Sequence, residues 1–161
     1  MILGYIHLYG GEWREAVSEF EAALRINPNH ADTWALLSDW KVYEGQAAEA
    51  VNCIRKAINL NPHPPGYYYW LCGWAQYGAG QYDDAIATLR REETYRSPSR
   101  KILAASLAQL GRMDEAHEET RQFLAMDPRF SVRRWSDTQP FKDDKMRQHF
   151  MDGYIKAGLP E

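Results

Sequence analysis

The chain has 161 residues, of which 45% are hydrophobic and 25% are charged, and its formal net charge at pH 7 is −3. This composition is ordinary for a globular protein, and the slightly negative charge gives no reason to expect binding to nucleic acid. The sequence has no run of about 20 apolar residues that could insert in a membrane. Its two cysteines, Cys53 and Cys72, suggest neither a disulfide framework nor a zinc site. We therefore expect a cytoplasmic protein without a metal or other cofactor.

An internal repeat runs through the first four fifths of the chain, marked by four glycines that each stand five residues before an alanine. The pairs are Gly11 with Ala16, Gly45 with Ala50, Gly80 with Ala85, and Gly111 with Ala116. Successive glycines are roughly 34 residues apart. A glycine can end a helix in the left-handed conformation, and a small alanine lets the next helix lie close to the first. The spacing therefore predicts a series of helical hairpins.

Eight helices are predicted by this pattern, in chain order. Their ranges are residues 2–9, 13–26, 31–43, 47–60, 66–79, 82–95, 98–110 and 113–126. Asn29 or His30 is placed to cap the third helix, and Ser97 followed by Pro98 is a typical cap and first turn for the seventh.

Residues 2–128 resemble the tetratricopeptide repeat family. The resemblance rests on the glycine-to-alanine spacing and on partial matches to the family's aromatic and Leu-Gly positions. These matches are Leu3 and Gly4, Trp34 and Leu37, and Tyr69, Cys72 and Gly73; Leu103 and Ala104 stand at the equivalent places of the fourth unit. The resemblance implies an all-α right-handed superhelix, an α-solenoid of antiparallel helix pairs. It divides the chain into units at about 1–30, 31–64, 65–96 and 97–128, of which the first starts partway into its first helix, as in a fragment of a longer protein.

Residues 129–161 fall outside the repeat and are expected to form a C-terminal capping segment with one helix. Asp143 can cap this helix, which carries Met146, Phe150 and Tyr154 on one face and ends at Gly158. A solenoid needs such a cover for its last repeat.

A narrower resemblance covers residues 102–161. The runs LAASLAQLGRMDEA, MDPRFSVRRW, QPFKD and DGYIKAGLPE are similar to the C-terminal repeat region of bacterial class III adenylate/guanylate cyclases and related multidomain proteins. The terminal AGLPE is what a natural C-terminus at Glu161 would look like in that group. No residue matches a catalytic cyclase motif, so the resemblance implies a signalling parent protein rather than an activity of this chain.

Catalysis is not indicated by any group of residues. The five histidines are scattered without metal-ligand spacing. The acidic pairs Asp83-Asp84 and Asp143-Asp144 stand at helix starts, where the helix dipole favours negative charge. Cys72 occupies a position where the resembled family keeps a leucine, which predicts a buried thiol rather than a nucleophile. We expect a protein that is not an enzyme.

Aromatic residues dominate the predicted binding surface. In the resembled family the concave face is lined by the first helix of each unit, and residues 65–80 alone carry six tyrosines and tryptophans. The residues expected to form a partner-binding groove are Tyr5, Tyr9, Asp39, Tyr43, Tyr67, Trp70, Trp74, Tyr77 and Lys101, with Leu8, Ala35, Val42, Ala105 and Ala108 beside them. The lysines and asparagines with which some family members hold an acidic chaperone tail are replaced here by Tyr5, Leu36, Tyr67 and Leu71, which argues against that ligand.

Several functions remain open at this point. The leading hypothesis is a protein-interaction or oligomerisation module whose groove takes an apolar peptide or helix. The same rings could instead fill a tight superhelix or contact the C-terminal segment, and they could pair with a second copy. A sensor that closes an aromatic pocket around a small apolar or planar ligand is the alternative from another class. The arginine cluster Arg129, Arg133 and Arg134 is interpreted mainly as a solvated face, with an anion or acidic-partner site as the lesser alternative.

Overall fold

The computed structural model of the protein describes residues 2–91, 93–94 and 96–161, and it describes only the backbone of Ile2, Tyr5, Arg96 and Ser97. Within these residues the chain forms ten α-helices and no β-strand. The helices are α1 (Ile2–Tyr9), α2 (Trp13–Ile26), α3 (Ala31–Tyr43), α4 (Ala47–Leu60), α5 (Gly66–Gly78), α6 (Tyr82–Leu89), α7 (Arg96–Gln109), α8 (Met113–Met126), α9 (Val132–Thr138) and α10 (Asp144–Lys156).

The predicted hairpin geometry is confirmed at all four repeat glycines. Their φ angles lie between 73° and 84°, in the left-handed region. At the second of them, the N–H of Gly45 donates to the carbonyl of Val42 and the N–H of Gln46 donates to the carbonyl of Lys41, at 2.9 and 2.8 Å. This is a Schellman turn, which satisfies the last carbonyls of α3 and reverses the chain. The alanine five residues after each glycine is fully buried.

The helices pack as consecutive pairs, α1 with α2, α3 with α4, α5 with α6 and α7 with α8. The pairs then stack, since α3 contacts α5 and α5 contacts α7. Phe20, Ile54 and Leu89 stand four residues after the alanines and fill the space inside three of the pairs. The chain is therefore an all-helical solenoid of the tetratricopeptide-like type.

The junction after the third pair departs from the prediction. Helix α6 ends at Leu89 and does not continue toward Tyr95, which lies outside the described residues. The step from Gly80 to Gly111 is shorter than the two steps before it, while α7 keeps 14 residues, so the shortening falls on α6. Thr94 closes the turn by donating its hydroxyl to the carbonyl of Thr88 at 3.0 Å.

Helix α7 begins at Arg96, so the expectation that Ser97 caps it is wrong, because Ser97 already lies in the first turn. The third helix is capped as one of the two alternatives proposed: the Nδ1 of His30 accepts the N–H of Thr33 at 3.3 Å.

The C-terminal segment, residues 129–161, forms two helices, α9 and α10, where one was expected. The hydroxyl of Ser131 caps α9 by accepting the N–H of Arg134 at 3.3 Å. As predicted, Asp143 caps α10, and its carboxylate accepts the N–H of Met146 at 2.6 Å. Helix α10 packs on α7 and also on α3 and α5. It therefore crosses the first helices of three pairs and does not merely cover the end of the last one.

None of the helices in the described part of the chain has the length and apolar character needed to cross a membrane.

Candidate functional site

Three of the predicted groove residues, Tyr43 on α3 and Trp74 and Tyr77 on α5, contribute to one aromatic cluster. All three side chains are buried, with exposed fractions of 2%, 3% and 0%. The C-terminal segment covers them. Of the alternatives left open by the sequence, an intramolecular contact with that segment is the arrangement present in this structure.

Trp74 lies at the centre of this contact. Its ring stacks on the ring of Phe150 from α10, with centroids 3.8 Å apart and planes inclined by 27°. Trp135 from α9 and Phe141 from the α9–α10 connection complete the enclosure, with centroids 6.3 and 6.1 Å from Trp74. Offset-stacked and edge-to-face ring pairs of this kind add about 0.5–1.5 kcal/mol beyond the burial of their area.

Tyr43 anchors the start of the cover through both its ring and its backbone. The ring meets Phe141 edge to face at 4.9 Å, and the hydroxyl donates to Oε1 of Gln139 at 3.0 Å. The Tyr43 carbonyl, freed by the end of α3, accepts the N–H groups of Lys142 and Asp143 at 3.0 and 3.1 Å. Tyr9 reaches the same place, with its hydroxyl 3.1 Å from that of Tyr43.

Tyr77 contacts the middle of α10 through two hydrogen bonds and a ring stack. Its hydroxyl donates to the carbonyl of His149 at 3.2 Å, and Nε2 of His149 donates to the carbonyl of Tyr77 at 3.3 Å. The two rings stack with centroids 4.8 Å apart, and Gln109 from α7 donates to the Tyr77 hydroxyl at 3.3 Å. Burial raises the pKa of Tyr77 above its usual range, so this hydroxyl remains a donor at physiological pH.

Gly153 allows α10 to come this close. A Cβ atom at this position would lie 1.7 Å from the Tyr77 hydroxyl oxygen and 3.3 Å from Cβ of Ala105 on α7. No side chain fits in that space. A glycine in the middle of a helix lowers its intrinsic stability by about 1 kcal/mol relative to alanine, so the close crossing of α10 over α5 and α7 is obtained at the expense of helix propensity.

Polar contacts fix the two ends of the C-terminal segment. Lys142 forms an ion pair with Glu44 at 3.0 Å. At the far end, the hydroxyl of Thr120 on α8 donates to the carbonyl of Ala157 at 2.8 Å. Thr120 stands where the other three units have a large apolar residue. This polar residue is the feature of the sequence that indicates a different neighbour for the last unit, here the C-terminal segment.

The remaining predicted groove residues are Tyr5, Asp39, Tyr67, Trp70 and Lys101. Asp39 is buried on α3, and the side chain of Tyr5 lies outside the part of the chain that the structure describes. Tyr67 and Trp70 are partly buried on α5. Tyr67 donates its hydroxyl to Oδ1 of Asp32 at 2.6 Å. Together with a similar bond from Tyr68, this lowers the pKa of Asp32.

Lys101 lies on α7, one turn before Ala105, and faces three rings. The distances from its Nζ to the ring centroids of Phe123, Phe130 and Trp135 are 5.9, 5.5 and 5.4 Å. It therefore occupies a separate site beside the aromatic cluster.

The described residues contain no group of three or more His, Cys, Asp or Glu side chains placed to hold a metal ion. Burial raises the pKa of the Cys72 thiol to about 11. This thiol is protonated at neutral pH, as a structural cysteine would be.

Comparison with known proteins gives a family model and several solved structures. The model of the family described as anaphase-promoting complex, cyclosome, subunit 3 matches residues 43–120, slightly less than half of the chain. Two crystal structures of MamA are similar to this chain, each with a TM-score of 0.66 and 20% sequence identity. The similarity covers 98% of this chain and 93% and 87% of those chains. No curated protein sequence matches this one. These similarities agree with the tetratricopeptide-like solenoid fold.

Proposed function

We propose that this protein is a non-enzymatic protein-interaction module that binds an amphipathic helix on the surface formed by Tyr43, Trp74 and Tyr77. The C-terminal segment occupies this surface in the absence of a partner. The observation that supports the proposal is the docking of α10, which crosses three repeats with Phe150 stacked on Trp74. A helix laid in an apolar groove is a recurring mode of peptide recognition.

The chemistry of α10 indicates what a partner must present. Its contact face carries Met146, Phe150 and Tyr154 at successive turns, with Gly153 at the closest crossing. A partner helix needs large apolar or aromatic residues at i, i+4 and i+8 and a small residue one position before the last of them. A small apolar ligand has no comparable support, because Phe150 already fills the face of Trp74.

The partner competes with a tethered segment. A short linker holds α10 at an effective concentration in the millimolar range, so an isolated helix at micromolar concentration does not displace it from the wild-type chain. Exchange of C-terminal segments between two copies would make the same contacts between chains and is the form of self-association that this geometry supports.

The test uses a fluorescent peptide of residues 143–158 and the full-length variant Gly153→Leu. The leucine raises helix propensity but cannot fit against Tyr77, so it releases α10 and empties the surface. Asp152→Leu introduces the same side chain at the adjacent exposed position of α10 and is the matched control. We expect the peptide to bind Gly153→Leu but neither the control nor the wild type, as measured by fluorescence anisotropy.

Limited proteolysis within residues 139–161 confirms that α10 is released in the variant. If α10 is released and the peptide still does not bind, the proposed surface is not a helix-binding groove. Light scattering on the same samples shows whether the released segment docks on a second copy.

We also propose, from the resemblance of residues 102–161, that the module serves a bacterial cyclase-like signalling protein in the cytoplasm. The resemblance is its only support. The genomic sequence in frame with the codon of Met1 tests it directly, since a cyclase catalytic domain encoded there would support this parent and an unrelated domain would contradict it.

A further inference from the structure

An open cavity of about 450 Å³ lies beside the C-terminal segment, between the start of α7, the end of α8 and α9. Lys101 lines this cavity together with Phe123, Phe130 and Trp135, and Arg129 and Arg134 stand at its exposed rim. Its volume is within the range of small-molecule sites. Among the residues that line this cavity, Trp135 also belongs to the aromatic cluster, where its ring meets those of Trp74, Phe141, Phe150 and Tyr154.

The ammonium group of Lys101 has a carboxylate nearby, Asp127, but forms no direct ion pair with any residue that the structure describes. The structure gives it the three ring contacts of 5.4–5.9 Å, and no ion pair or hydrogen bond joins its Nζ to another described residue. Its pKa is lowered to about 8 because burial removes water from the charged form, an effect that the nearby Asp127 opposes. A buried charge is normally paired. This one is aimed into an open cavity, where a ligand can supply the partner.

The charges around the cavity select an anion. Lys101, Arg129 and Arg134 oppose a single carboxylate, Asp127, and Arg134 donates to the backbone carbonyl of Arg129, which holds the rim in place. Only one cation lies deep among the rings, which matches one carboxylate rather than a polyanion. The three ring walls require that this carboxylate be carried on an apolar body.

We propose that this cavity binds a carboxylate attached to an apolar or aromatic group of phenyl size. Lys101 pairs with the carboxylate, and Phe123, Phe130 and Trp135 contact the apolar part. Two sources share this chemistry, a free aromatic carboxylate and the C-terminal residue of a peptide. The proposal is independent of helix binding on the Trp74 surface.

The test is calorimetric titration of the full chain with three probes. They are 3-phenylpropionate, an N-acetylated pentapeptide ending in phenylalanine, and the same peptide as its C-terminal amide. The variant Lys101→Met removes the charge and keeps the length of the side chain, and Lys145→Met makes the same change at an exposed position of α10 as the matched control.

We expect at least one carboxylate probe to bind the wild type and Lys145→Met, to bind Lys101→Met at least tenfold more weakly, and to lose binding on amidation. Equal affinity of the two carboxylate probes identifies a small molecule as sufficient, and tighter binding of the peptide identifies a chain terminus. The proposal is overturned if neither carboxylate binds with a Kd below about 5 mM, if the amide binds as tightly, or if Lys101→Met binds as well as the wild type.

A spectroscopic readout separates direct pairing from a structural effect. In a sample labelled with ¹³C at lysine Cε, binding of the carboxylate should raise the pKa of Lys101 from about 8 toward its ordinary value. Asp127, Arg129 and Arg134 are the charged groups that face it and remain the same with and without the probe. An unchanged pKa in the presence of bound probe places the ligand elsewhere.

Discussion

Lys101 is the residue whose charge is most at odds with its surroundings. Its pKa is about 8 in the folded chain and its ordinary value is 10.5, so the unfolded chain binds this proton more tightly. The protonated amine therefore opposes folding at every pH below about 8. This destabilisation of the folded state decreases as pH rises from about 8 to 10.5, because the folded chain has already lost the proton that the unfolded chain still holds.

The first prediction is that Lys101→Met stabilises the unliganded protein at pH 7, by about 2 kcal/mol after allowance for partial solvent exposure of the amine. The difference in the free energy of unfolding between the variant and the wild type should decrease as pH rises from 8 to 10. Urea unfolding of both proteins at pH 7, 9 and 10 measures it. A difference that stays constant over this range would show that the titration of Lys101 is not its cause.

The structural role of Gly153 is evident only from the folded structure. In the sequence it is a glycine inside a helix of 13 residues, and this position predicts only a small loss of helix propensity. In the structure it is the point where α10 approaches Tyr77 so closely that any Cβ is excluded. The periodic spacing of residues predicts helix faces, but it does not show which neighbour each face will meet.

At the scale of helices, the hairpins depend on the small residue five positions after each glycine. Ala85 on α6 is fully buried, whereas Ala87 on the same helix is exposed. The same substitution at these two positions therefore compares a buried site with an exposed site on one helix. They form an internal control for the packing of the third pair.

The second prediction is that Ala85→Trp lowers the free energy of unfolding by about 3 kcal/mol or more through overpacking, whereas Ala87→Trp changes it by about 0.5 kcal/mol or less. Thermal melts followed by circular dichroism compare the two variants. Equal melting temperatures would refute the assignment of Ala85 to the inside of the hairpin.

The helices that the sequence predicts best are those bounded by a glycine and a proline. Helices α2 and α4 have such signals at both ends and begin and end at the predicted residues. Helix α6 was predicted too long because its unit lacks the closing proline. Helix α9 was missed because its seven residues are too few to show a helical period. An aromatic surface was predicted at Tyr43, Trp74 and Tyr77. The C-terminal segment was only one of the occupants left open, since the sequence of α10 indicates an apolar face but not what that face contacts.

At the scale of the whole molecule, the C-terminal segment joins parts of the chain that a simple solenoid keeps apart. Gln139 bonds to Tyr43 and Lys142 pairs with Glu44, across 96 and 98 residues of sequence. In a linear repeat array each unit contacts only its neighbours, and end units can be lost one at a time. Here the last helix ties the second pair to the fourth.

The third prediction is that removing residues 129–161 lowers the melting temperature and exposes the Trp74 surface. The truncated chain should bind the dye ANS and should associate in light scattering, because a contiguous aromatic patch is left open. A truncated chain that remains monomeric, with unchanged melting temperature and no added ANS fluorescence, would contradict the contribution assigned to this segment.

The length of α10 has a consequence for how this architecture can change over evolution. Its 13 residues extend about 20 Å, close to two steps between packed helix axes of about 8–10 Å each, which is the reach from α3 past α5 to α7. Duplication of one repeat within this span would carry Tyr43 beyond the reach of Asp143, and loss of one would leave the segment without its far contact. An open array can gain or lose units freely, whereas the three repeats that α10 crosses are held at a fixed number.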